Sequence, residues 1–90
     1  MFAVVTTVEL PEGGTIEEGR KQLESDVIPR MKQAPGFVAA YFLAPKEGRE
    51  GLSFIVFESK EAATAVSENM QPPPPVKLLH SEVREVAASA

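Results

Sequence analysis

The sequence predicts an α+β fold of four strands and two helices, in the order strand, helix, strand, strand, helix, strand. Three observations carry this prediction. Four segments, FAVVTTVEL (2–10), FVAAYFLA (37–44), LSFIVFE (52–58) and VKLLHSEVREV (76–86), are rich in β-branched and aromatic residues and are set apart by proline, glycine and charged turns. Behind Thr15 and Ser59, residue types that cap helices, apolar residues recur at helical spacing. The two middle strands are apolar on both faces, whereas a sheet covered on one side only would alternate apolar with polar.

In the first strand Phe2, Val4, Thr6 and Val8 share one face and Ala3, Val5, Thr7 and Glu9 the other; Pro11 and Gly13-Gly14 end it. Thr15 and Glu18 have the spacing of a capping box, in which the threonine oxygen accepts from the third helical N–H and the glutamate reaches back to the cap. Ile16, Leu23, Val27 and Met31 form the apolar stripe of helix one, with Glu17, Lys21, Glu24 and Lys32 turned to water. Gly19 weakens this helix by about 1 kcal/mol relative to alanine. Pro29 lies inside the pattern and removes a backbone donor, which predicts a kink or a tightened last turn. Pro35-Gly36 then stops the helix.

In the second strand Phe37, Ala39, Tyr41 and Leu43 are expected on one face and Val38, Ala40, Phe42 and Ala44 on the other. The polar turn PKEGREG (45–51) leads into the third strand. Ser59 caps helix two, Glu61 suits its first turn, and Ala62, Ala63, Ala65, Val66 and Met70 make its apolar side. Pro72 to Pro75 predict a stiff polyproline connector to the fourth strand, and Ala87 to Ala90 a frayed tail.

This order is the split β-α-β, or ferredoxin-like, arrangement, βαββαβ. It implies a four-stranded antiparallel sheet with two helices on one face, because crossovers are right-handed. At this length residues 1–90 make a single domain. The second sheet face then lacks a cover, and the simplest closed solution is a two-fold homodimer through that open face. At roughly 25 cal/mol per Å², burying about 400 Å² contributes on the order of 10 kcal/mol, against association costs of similar size.

Composition narrows the function classes. The 90 residues are 43% hydrophobic, with a formal net charge of −4 and no cysteine. That excludes disulfides and thiolate metal sites, and the acidic balance argues against a general nucleic-acid binder, which needs a basic face. No basic leader and no membrane-length apolar run is visible, so a cytoplasmic protein with no membrane partner is expected. There is no G-x-G-x-x-G, no G-x-x-x-x-G-K and no nucleophile elbow.

The segments VIPRMKQAPGF (27–37) and LSFIVFESKEAATAV (52–66), with a first strand opening directly after Met1, resemble the dimeric α+β barrel superfamily, in particular its antibiotic biosynthesis monooxygenase-like domains. The matching motifs are Pro35-Gly36-Phe37 ahead of strand two and Phe57-Glu58-Ser59-Lys60-Glu61-Ala62 at the start of helix two. The resemblance spans nearly the whole chain. It implies a dimeric barrel and, in the active branches, cofactor-independent oxygenation of a phenolic or quinol-type substrate, or haem cleavage; many other members have no known activity. The active branches use a tryptophan with an asparagine, or a histidine on the second helix. This chain has no tryptophan, its one asparagine is Asn69 at the end of helix two, and Thr7 stands on strand one where a polar amide is expected. Its one histidine, His80, falls on strand four.

Candidate chemistry rests on few residues. His80 can take or give a proton near neutral pH; the plainer reading is an exposed or seam histidine, and a lone imidazole makes a poor metal site. Tyr41 can hydrogen-bond a substrate oxygen, or can be a packed aromatic with its hydroxyl at the rim. Arg84 shares a strand face with His80 and Glu82 and can stabilise an oxyanion, or can simply pair with a neighbouring glutamate. Thr6 and Thr7 are candidates to line a pocket between sheet and helices, Thr7 with Tyr41 being the expected ligand contacts. Tyr41, His80 and Arg84 are thus the catalytic candidates, with no metal and no cofactor. Two functions stand: a monooxygenase-like protein acting on a small aromatic or quinol-type substrate, and a non-catalytic ligand-binding or protein-interaction domain that uses the same dimer.

Overall fold

The computed structural model describes residues 1–72 and 75–90. The expected connector Pro72 to Pro75 falls partly on residues 73 and 74 and to that extent lies outside the described residues. Strands β1 (Phe2–Glu9), β2 (Phe37–Leu43), β3 (Glu50–Phe57) and β4 (Lys77–Glu85) form one antiparallel sheet in the order β2-β3-β1-β4. Three segments, Ile16–Gln22, Leu23–Val27 and Ile28–Lys32, run on as one helix, α1; the second helix, α2, is Lys60–Glu68. The fold is the ferredoxin-like one that the element order predicts.

Both caps form. The Glu18 N–H donates to Thr15 Oγ1 at 3.1 Å, and the Ala62 N–H donates to Ser59 Oγ at 3.1 Å. The Glu18 carboxylate, however, accepts from the Thr15 hydroxyl at 3.2 Å. Pro29 neither tightens the last turn nor breaks the helix. Leu23–Val27 is a π-helical turn, and the Ile28 N–H bonds back to the Leu23 carbonyl. The widened turn absorbs the donor that proline lacks. One extra residue per turn also rotates the N-terminal half of α1 by about 100° relative to a regular helix. Ile16, expected on the buried stripe, consequently stands 59% exposed, while Leu23, Val27 and Met31 are half-buried.

The core lies on one side of the sheet. The pairs Phe2↔Phe57 and Val4↔Ile55 put these residues on a common face. Val4, Ile55 and Phe57 are fully buried there with Ala63 of α2; Met31, Ala34, Ala62 and Val66 pack around them. Both helices therefore cover the same face. The small side chains of Ala62 and Ala63 let α2 lie close to the sheet.

Edge strand β2 departs from strict alternation. Phe37 pairs with Phe57 and Ala39 with Val56, so Val38 is one residue too many, a β-bulge. Phe37, expected with Tyr41 and Leu43, thereby moves to the core face and meets Phe57 edge to face, ring centroids 6.2 Å apart. The other edge strand, β4, carries a matching irregularity at Leu79, between the pairs Thr7↔His80 and Val8↔Leu78.

Gly36 joins the two halves of the fold. It has φ +78, a conformation that costs any side-chain-bearing residue energy. Its carbonyl accepts from the Glu58 N–H at 2.8 Å, and a Cβ there would lie 3.4 Å from the Ala62 Cβ. The turn before β2 is thus fastened to the start of α2. Gly36→Ala should lower the unfolding free energy by about 1–2 kcal/mol in urea titrations. Gly19→Ala, in open helix with nothing within 4 Å of the new Cβ, should raise it by up to about 1 kcal/mol.

Candidate functional site

The helix-facing side of the sheet carries a band of hydroxyls. Ser53 on β3 pairs with Thr6 on β1, and Thr6 pairs with Ser81 on β4, so three short polar side chains stand abreast about 5 Å apart. Ser67 of α2 closes the band at one end, its Oγ 2.7 Å from the Ser81 Oγ. Thr6 is 2% exposed, and its Oγ1 has no hydrogen-bond partner among the described residues. A buried hydroxyl left unpaired costs about 1–3 kcal/mol. Thr6 lies between Val4 and Val8, positions that otherwise hold only apolar groups on this face. A valine would suit the fold better.

On the same side of the sheet, with none of these hydroxyls in its wall, lies an open cleft of about 590 Å³, lined by Asp26 and Arg30 of α1, by Met70, Gln71, Pro72 and Val76 between α2 and β4, and by Leu78. Leu78 pairs with Val8 on the helix side, one side-chain step, about 7 Å, along β1 from Thr6. The volume suits a small molecule. Asp26 sits in the π turn and receives Arg30 Nη2 at 3.0 Å. Both side chains are at least half exposed, so the pair marks the rim and adds little stability. None of the helical segments of α1 has a fully buried residue.

Of the residues singled out from the sequence, Thr6 faces the helices and Thr7, Tyr41, His80 and Arg84 lie on the other side of the sheet. Thr7, expected in a pocket beneath the helices, points to the opposite, open face, where it pairs with His80. It is Thr6 that faces the helices. On the open face Tyr41 pairs with Phe54, Phe54 with Val5, and Val5 with Glu82. Tyr41, 62% exposed, is therefore three strand spacings, about 14 Å, from the β4 row. Glu82 lies between the other two candidates: His80 Nε2 is 3.6 Å from its carboxylate and Arg84 Nε 3.4 Å. The three catalytic candidates share one face but do not converge on a cavity. The signal for Thr6 was present in the alternation of β1, where it shares the face of Phe2 and Val4. Nothing in the spacing of Asp26, Arg30 and Gln71 announced the cleft. Among the described residues no group of three or more histidine and carboxylate side chains is placed to hold a metal ion, and no helix is long and apolar enough to cross a membrane.

No family model and no curated protein sequence matches the chain. Solved structures do. The haem-degrader MhuD of Mycobacterium tuberculosis, with two haems bound in its active site, superposes with a TM-score of 0.67 at 18% identity, over 100% of this chain and 99% of that one. A monooxygenase from the gene ActVA-Orf6 of Streptomyces coelicolor, in complex with nanaomycin D, gives a TM-score of 0.64 at 17% identity, over 99% of this chain and 89% of that one. At such identities the likeness establishes the fold.

Thr6→Val keeps the shape of the side chain and removes the unpaired hydroxyl. It should raise stability by about 1 kcal/mol, seen as a higher urea midpoint at unchanged slope. A loss of stability would mean that the hydroxyl is satisfied in solution.

Proposed function

We propose that this chain forms a homodimeric barrel that binds a small, flat apolar or aromatic molecule between α1 and the sheet of each subunit, with the Thr6 hydroxyl as its hydrogen-bonding contact. The carrying observation is the buried Oγ1 of Thr6, without a hydrogen-bond partner among the described residues, on the same side of the sheet as the cleft, although Thr6 is not itself part of the cleft wall. A polar atom kept in a core at a cost to folding points to a ligand oxygen or nitrogen that restores the missing bond. Met70, Pro72, Val76 and Leu78 give the cleft an apolar wall, with Asp26, Arg30 and Gln71 beside it, which suits a flat apolar ligand that carries a polar edge. Fold likeness to proteins solved with haem and with nanaomycin D agrees with a flat ligand.

The dimer in this reading is formed by the open face. Ala39, Tyr41 and Leu43 of β2, Leu52, Phe54 and Val56 of β3, and Ala3 and Val5 of β1 make one apolar surface with no helix over it. A contiguous patch of this kind on a small chain marks an interface.

The second reading is oxygen chemistry on the bound molecule, favoured by the likeness to a monooxygenase. The substrate would be quinol-type, and the chemistry would take place on the substrate itself, without a cofactor. Tyr41, His80 and Arg84 would then contribute only from the subunit seam, since they share the open face. Their separation is the reason binding is placed first.

Titrating the protein with haem and with a naphthoquinone, followed by visible absorbance, tests the binding reading. At least one probe should bind, and Thr6→Val should weaken it by about tenfold, the worth of one hydrogen bond. Failure of both probes, or a variant that binds as well as the parent, removes the proposed contact. Oxygen uptake with the reduced quinone separates catalysis from binding. Phe54→Lys, at the centre of the open face, should convert a sedimenting dimer to a folded monomer.

A further inference from the structure

The chain has four arginines, and each lies beside a carboxylate: Arg20 by Glu17 at 2.7 Å, Arg30 by Asp26 at 3.0 Å, Arg49 by Glu9 at 3.8 Å and Arg84 by Glu82 at 3.4 Å. Pairing therefore distinguishes none of them, but place does. Arg30 is the one that lines the cleft, together with the hydrocarbon of Met70, Val76 and Leu78. Its position follows from the local helix geometry. Asp26 belongs to the π turn Leu23–Val27 and Arg30 to the regular segment Ile28–Lys32, which carries Pro29. Both side chains reach the cleft wall across this junction. Such turns recur at functional sites, where they redirect side chains without ending the helix.

The pair uses little of the guanidinium. Arginine presents five N–H donors in a planar fork, and among the described residues Nη2 alone meets Asp26. The edge turned away from Asp26 can take a second carboxylate through two parallel hydrogen bonds. Asp26 meanwhile holds the head at the rim, so that less rotamer freedom is lost when a ligand arrives. The chain as a whole has a net charge of −4 and repels an anion, so a cation within the cleft is the means of accepting one. Resting on the ligand-binding reading above, we propose that Arg30 decides the ligand class of the cleft: the site takes a flat aromatic acid, its carboxylate on the guanidinium and its ring against Met70, Val76 and Leu78.

Titrating the full chain with 2-naphthoate and with 2-naphthamide, followed by naphthalene fluorescence, tests this. The two probes share a ring system and differ in charge. The acid should bind the parent about tenfold more tightly than the amide, the worth of a charge-assisted contact at an exposed rim. Arg30→Gln should abolish that preference by weakening the acid and leaving the amide unchanged. Arg30→Lys, a point charge without the fork, should keep part of it. Arg20→Gln removes the same charge from the same helix, outside the cleft wall, and should keep the full preference. Circular dichroism of the variants should match the parent, since both arginine side chains are more than half exposed.

Equal binding of acid and amide by the parent, or a preference that survives Arg30→Gln, overturns the role of Arg30 while leaving the cleft as a binding site. A preference lost equally in Arg20→Gln overturns it too, because the charge of the helix would then suffice. Binding of haem or the naphthoquinone but of neither naphthalene probe overturns the aromatic acid. Binding of none of the four removes the cleft reading as well.

Discussion

A sheet has two faces, and this chain supplies helices for one. Much of the molecule follows from that shortage. Val4, Ile55 and Phe57 reach full burial because α2 lies directly on them, while Phe54 and Val56, their neighbours along β3, point the other way, with no element over them among the described residues. The same strand thus carries a finished core on one side and an unfinished one on the other. Period-two alternation makes this unavoidable: a strand apolar at successive positions must bury both faces or leave one wet. Extending the chain by another helix or pairing with an identical sheet are the ways out, and pairing requires no additional sequence.

The distribution of polar groups divides along the same plane. The helix side holds the hydroxyl band, with Asp26 and Arg30 paired at the rim of the cleft; the open side holds His80, Glu82 and Arg84, which have no enclosed space around them within one subunit. General acid–base catalysis needs a titrating group within hydrogen-bond reach of the reacting atom. Within one subunit the cleft and the titrating row lie on opposite sides of the sheet.

How far the fold was legible depends on the kind of signal. Capping by Thr15 and Ser59 is local chemistry, expressed within four residues, and it was readable directly. The strand order followed from element order together with crossover handedness. What alternation could not reveal were the irregularities. The surplus residue Val38 turns Phe37 to the core, and the π turn at Leu23–Val27 turns Ile16 away from it. Both are single-residue phase changes that tertiary packing selects, and a periodic pattern has no term for them. The same parity divides the candidate site. Thr6 and Thr7 were both readable as pocket candidates, and they differ by one position, which on a strand is the whole thickness of the sheet.

The bulge at Val38 bears on which changes of chain length this fold can absorb over its history. The connection at 44–49 joins adjacent antiparallel strands through exposed, charged residues, and adding to it costs only the slow logarithmic growth of loop-closure entropy. Val38 is the surplus residue, so its deletion restores plain alternation: Phe37 then precedes Ala39 directly and stays on the helix side, opposite Phe57. A deletion within Ala40 to Leu43 instead inverts the parity of every residue before it, and with the bulge retained it would carry the Phe37 ring to the open face, hollowing the interior and enlarging the oily exterior together. Length changes among descendants of this sequence should therefore gather in the β2–β3 connection or fall on Val38, and spare Ala39 to Leu43.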